Sequence, residues 1–256
     1  MRIKIIQDII DLIRGKISFR DFRRIFYQHL CTKVQYSNCK YNEIVSLGYN
    51  CEVSQRLQDI FNKKFEHYLF TWSYECDREL FLESLNNLNN FTESEYSILP
   101  NGMIKHERYN IRFHSRFSKD QLINNDGSFT NNVEPAINEL KERLTYLSNK
   151  TENIFKTNKK ILFIIKLKRT NIQDDFNYIE KLNKILSLKF TEKSPEYTLL
   201  VVIEKNNYSK NELKLINSKN NQYIKYEAIS HFADDPYTDI HGDIFGWYRV
   251  IKKYLL

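Results

Sequence analysis

Two stretches constrain this chain more than any others: KKILFIIKL at 159–167 and YTLLVVIEK at 197–205. Each is a short, nearly unbroken apolar run bounded by charge, which is the pattern of a strand covered on both faces. Between them DDFNYIEKLNKILSL carries apolar residues at helical spacing. Buried strands separated by helices predict parallel pairing, because a parallel connection needs a crossover. The same alternation recurs. EIVSL, QYIKYEAI and HYLFTW read as further extended segments, and NIRFHSRF as a strand within a polar, Asn-rich region. CEVSQRLQDIF, RELFLESLNNL after Asp77, EPAINELKERLTYLSN, SKNELKLI and IFGWYRVIKKYLL read as helices. The expected fold is α/β: a three-layer, doubly wound, mostly parallel sheet preceded by an N-terminal helical hairpin.

That hairpin occupies residues 1–40, ahead of a catalytic domain at 41–256. In MRIKIIQDIIDLIRG the isoleucines recur at helical spacing, and FRDFRRIFYQHL follows as a second helix. Nine Lys/Arg against three Asp give this arm nearly all of the net charge of +7. A basic amphipathic arm suits packing on the domain, contact with a sister subunit in a homo-oligomer, or an anionic membrane surface. The nearly neutral body does not suit a nucleic-acid partner, whose basic residues should line the folded surface. No apolar run reaches the roughly 20 residues of a bilayer crossing, and the N-terminus has no signal-peptide pattern. The expected location is cytoplasmic, or peripheral at the inner face of the membrane. The four cysteines lack zinc-site spacing, so reduced thiols are expected.

In parallel sheets, reactive groups gather after the carboxyl ends of the strands. There EIVSLGYNCEVSQRL sets Gly48, Tyr49, Asn50 and Cys51 on a strand-to-helix turn. A thiol beside the unpaired amides of a helix start favours the thiolate, and the backbone from Gly48 to Glu52 is a candidate oxyanion hole. A buried, inert cysteine and an anion cradle at the helix start are the competing readings. The base has two candidates. The C-terminal loop SHFADDPYTDIHGDIFGW holds His231, Asp234, Asp235, Asp239, His241 and Asp243. In it Asp239 and His241 suit an orienting carboxylate and a base, while metal binding and helix capping are the alternatives. In NIRFHSRF, strand alternation puts His114 on one face with Arg112 and Arg116, two cations able to grip an anionic substrate. Lys166, Lys168 and Arg169 end the KKILFIIKLKR run and are candidates for phosphate or carboxylate.

SLGYNC, then LFTW, then IRFH resembles a bacterial papain-like cysteine peptidase family found among surface-polysaccharide genes, over roughly residues 43–170. The resemblance implies Cys51 as nucleophile and His114 as its partner. Thr71 stands where that family has Asp. The order of elements is also similar to SGNH hydrolases and acyltransferases, whose nucleophile follows the first strand and whose base precedes the last helix; that likeness selects His241 over His114. The expected function is a cysteine-dependent acyl-transfer or hydrolytic enzyme of surface-glycan assembly, acting on a glycan or lipid-linked glycan. It needs no organic cofactor and no metal. A phosphosugar or glycan transferase and a non-catalytic membrane-associated assembly factor are the alternatives.

Overall fold

A computed structural model describes residues 15, 39–48, 50–61, 65–75, 77–91, 94–190, 196–233 and 242–255. Apart from Gly15, Cys39 and Lys40, the N-terminal arm lies outside the described residues. The fold is α/β and has two sheets. The larger consists of β1 (Glu43–Ser46), β6 (Ile161–Leu167), β7 (Tyr197–Glu204) and β8 (Ile224–Ile229), in that order and parallel throughout. Each strand is added on the same side, so the reversal of strand order that defines a doubly wound sheet does not occur among the described strands.

The unbroken apolar strands divide their residues by parity. Ile161, Phe163, Ile165 and Leu167 enter one apolar cluster and Leu162 and Ile164 the other; Leu199, Val201 and Ile203 are likewise separated from Leu200 and Val202. The second cluster is closed by α1 (Glu52–Phe61) and α7 (Ile244–Leu255), through Val53, Leu57, Trp247 and Ile251. The first is closed by α4 (Val133–Ile154), α5 (Ile172–Lys189) and α6 (Lys210–Ser218), through residues such as Leu140, Leu182 and Ile216. Each fully buried aliphatic or aromatic side chain stabilises by about 1.5–3 kcal/mol against exposure. Residues at both parities must therefore be apolar, which is why these strands read as continuous runs.

The second sheet corrects the expectation of a single, mostly parallel one. β2 (Ser73–Glu75), β5 (Ile111–Phe113), β4 (Ile104–His106) and β3 (Tyr96–Ile98) pair antiparallel in that order. They lie between α1 and α4 in the chain, together with α2 (Arg78–Asn86) and the short α3 (Lys119–Leu122). NIRFHSRF supplies only three strand residues, Ile111–Phe113. HYLFTW is buried at Tyr68, Leu69, Phe70 and Thr71 as expected, but it is a turn rather than a strand. The Thr71 amide donates to the Tyr68 carbonyl at 3.0 Å, and the Thr71 hydroxyl accepts from the Tyr68 amide at 2.7 Å. That local hydrogen-bonding offers the backbone an alternative to a ladder. Asn110, which joins β4 to β5, has φ 52°, a conformation Asn tolerates better than most residues. No helix among the described residues is long and apolar enough to cross a membrane.

The antiparallel sheet encloses His106, which is fully buried between Phe91, Tyr96 and Tyr109. Its Nδ1 accepts from the Tyr109 amide at 3.3 Å, so the neutral ring carries its proton on Nε2. Burial, with a smaller push from Arg108 opposed by Glu107, holds its pKa down to about 4 from the ordinary 6.5. A histidine depressed in the folded state contributes stability that is complete above the unfolded value and lost as the pH falls towards the folded one. Unfolding free energy should therefore drop between pH 6.5 and 4, by up to about 3 kcal/mol from this residue. Denaturant titrations of wild type and His106→Phe across that range check this; the variant should lose that part of the slope.

Candidate functional site

The turn after β1 forms as its sequence suggests. Leu47 still donates to Ile164 at 2.9 Å, and Gly48 then takes φ 81°, a left-handed conformation that costs glycine little. The Cys51 carbonyl accepts the first helical bond from Gln55 at 2.8 Å, which makes Cys51 the cap of α1. Its Sγ lies 3.3 Å from Nε2 of His114, a residue 63 positions away in the chain. The residue is 1% exposed, yet it belongs to neither apolar cluster. His114 is half-buried.

Other contacts hold the two partners in place. Arg143 of α4 donates from a terminal guanidinium nitrogen to the His114 carbonyl at 2.6 Å. Ser54, in the first turn of α1, donates to the Thr71 carbonyl and lies 3.2 Å from the Ser46 hydroxyl. The Leu69 amide donates to Thr151 Oγ1 of α4 at 3.1 Å. Thr71, where the resembling family has Asp, therefore anchors the 68–73 turn through its own hydroxyl and carbonyl.

The residue after Cys51 is the centre of a buried charge network. Glu52 is fully buried and receives Lys166 Nζ at 2.7 Å, Trp247 Nε1 at 2.9 Å and the Ala233 amide at 3.1 Å, with Arg56 at 3.9 Å. Lys166 is 4% exposed, over the Phe232 ring at 4.3 Å; burial pushes its ammonium below the ordinary value, against the pull of Glu52. This corrects the reading of Lys166 as a ligand cation, since Glu52 already claims its charge. The signal was available in the sequence: a lone lysine inside an apolar strand requires a buried acid.

The remaining expected residues are distributed unevenly. Asn50 is buried and its Oδ1 accepts from the Glu52 amide at 3.0 Å, which removes that amide from the expected oxyanion hole and from an anion cradle. Arg112 lies opposite Tyr74 in the antiparallel sheet, two residues before His114, whereas Arg116 pairs with Glu139 at 3.0 Å and is largely exposed. Arg169 pairs with Glu212 of α6 at 2.8 Å and lies over the Tyr208 ring. The Lys168 side chain is exposed and its carbonyl accepts from Arg78 at 2.5 Å. Asp243 caps α7: burial opposes its charge, but hydrogen bonds from Ser230 and Gly246 outweigh that and hold its carboxyl below the ordinary value. Gly242 allows the loop ends to meet, since a Cβ there would come within 2.9 Å of Ala233. Tyr49, Asp234, Asp235, Asp239 and His241 lie outside the described residues. No group of three or more His, Cys, Asp or Glu able to hold a metal occurs among the described residues.

Comparison of the chain with protein-family models, curated proteins and solved structures finds no match. The site is therefore read from its own geometry.

Removing one member of a buried ion pair strands the other. Lys166→Met alone should cost about 3–5 kcal/mol, and Glu52→Gln with Lys166→Met should recover most of that loss. Equilibrium unfolding of the single and double variants measures the coupling.

Proposed function

We propose that the chain is a cysteine-dependent acyl hydrolase or acyltransferase with Cys51 as nucleophile and His114 as base. The observation that carries the reading is the 3.3 Å approach of the Cys51 sulfur to His114 Nε2 at the start of a helix. A thiol at a helix start beside an imidazole is the arrangement that favours thiolate. His114 takes the thiol proton and the sulfur attacks the acyl carbon. The C–O or C–N bond breaks, and His114 returns the proton to the leaving oxygen or nitrogen. Water, deprotonated by the same imidazole, or an acceptor hydroxyl in the transferase case, then cleaves the thioester and the thiol recovers its proton. Neither an organic cofactor nor a metal enters this sequence.

The resemblance in SLGYNC, LFTW and IRFH supports a surface-glycan substrate and work at the cytoplasmic side, with residues 1–40 as a basic arm for a membrane surface or a second copy of the chain. The apolar clusters on both faces of the parallel sheet support a three-layer arrangement.

Thiol alkylation discriminates sharply. By exposure alone Cys39, which is half-buried and whose thiol pKa burial pushes up, should outpace Cys51 at 1% exposure. With iodoacetamide near pH 7 the order should invert, Cys51 reacting first, and His114→Gln should slow it about 100-fold or more. Mass spectrometry of the modified peptides reads both. Reaction at Cys51 no faster than at Cys39, or unaffected by His114→Gln, would overturn the assignment.

A further inference from the structure

The antiparallel sheet has two unlike faces. Ser73 pairs with Phe113, Phe113 with Ile104 and Ile111 with His106, and all of these are buried. The alternate register sets Tyr74 opposite Arg112, Arg112 opposite Lys105 and Lys105 opposite Ser97, a row that crosses all four strands on the other face. Trp72 and His114 flank the Ser73–Phe113 pair that ends this ladder, and the Trp72 indole and the His67 ring meet edge to face, 5.9 Å between centroids. That face is partly open to water, with Tyr74 39% exposed and Arg112 half-buried, and at the end of the ladder Trp72 and His114 are half-buried too.

Its charge is not balanced. Lys105 is matched by Glu107 at 2.6 Å. Arg112 takes part in none of the ion pairs among the described residues, and its buried Nε has no hydrogen-bond partner. A partly desolvated guanidinium gains from an incoming anion what its surroundings do not supply. Flat rings beside it offer stacking surface.

We infer that this face is the substrate platform of the Cys51–His114 site and that it takes an acidic, acyl-bearing sugar. The sugar ring lies on Trp72 or Tyr74, its carboxylate or phosphate on Arg112, and its acyl group reaches Cys51 past His114. An acidic peptide fits less well, because an extended peptide binds along a strand edge through its backbone, whereas these side chains are arrayed across the sheet. The acyl position rests on the cysteine-hydrolase reading; the platform itself does not.

Binding is measured on the full chain carrying Cys51→Ala, so that no turnover is needed. The probes are a short O-acetylated oligogalacturonate, a neutral O-acetylated cello-oligosaccharide and an acetylated oligoglutamate peptide. Of the two tryptophans Trp247 is fully buried, so a change in fluorescence reports Trp72. The oligogalacturonate should bind tightest and shift the emission, and Trp72→Phe should remove that shift. Arg112→Gln should weaken it about tenfold or more, with part recovered by Arg112→Lys, while the neutral sugar is indifferent to both. Equal binding of acidic and neutral sugars, insensitivity to Arg112→Gln, or preference for the oligoglutamate would overturn the inference. Expected binding alongside an unreactive Cys51 would keep the platform and remove the acyl mechanism; a reactive Cys51 without binding would do the reverse.

Discussion

The carboxylate of Glu52 is the point on which the rest of the site depends. It follows Cys51 directly, and it is reached from β6 by Lys166, from α7 by Trp247 and from the segment after β8 by the Ala233 amide. An ionised carboxylate with no exposed surface is tolerable only when each of its lone pairs is met. The donors are therefore obligatory, and so is the position of the turn that carries the thiol. What is spent on desolvation returns as a fixed relation between the first strand, the last helix and the C-terminal segment.

The thiol and its imidazole come from different sheets. Cys51 stands at the carboxyl end of a strand in the parallel sheet, while His114 leaves the antiparallel one just after β5. Their 3.3 Å separation is thus a tertiary quantity, set by whatever joins the two bodies. Ser54 to the Thr71 carbonyl, Leu69 to Thr151 and Arg143 to the His114 carbonyl are among the polar links. The last acts nearest the thiol: a charged donor on its backbone carbonyl fixes where the Cα of His114 stands.

Legibility in the sequence follows from length and from cost. Runs such as ILFIIKL and YTLLVVIE are long enough for burial on both faces to dictate every residue, and their strands fall where expected. Three-residue strands impose almost no pattern, so β2, β3 and β4 were illegible and only β5, with its IRF alternation, left a trace. HYLFTW misleads because its burial is real while its backbone bonds are local, through Thr71. Cys51 was legible from Gly48 and the helix that follows. The alternation of NIRFHSRF nominated His114, but the order of elements favoured His241; chain order does not encode a contact across 63 residues. Arg143 was illegible as well, since its role is to a backbone carbonyl and leaves no mark on its own helix.

Charge balance links the two halves of this account. In the proposed mechanism a thiolate forms at Cys51, one residue before the Glu52 carboxylate, and an uncompensated like charge nearby disfavours ionisation. Lys166 cancels the Glu52 charge at 2.7 Å, and the Trp247 and Ala233 donors spread what remains. The start of α1 keeps its dipole there, although the Glu52 amide itself is taken by Asn50. A lysine near the end of a buried strand is an unfavourable choice for the fold alone, because burial works against its ammonium. It becomes intelligible once the same ion pair both fixes the turn and, in the proposed mechanism, removes uncompensated like charge from the residue next to the thiol.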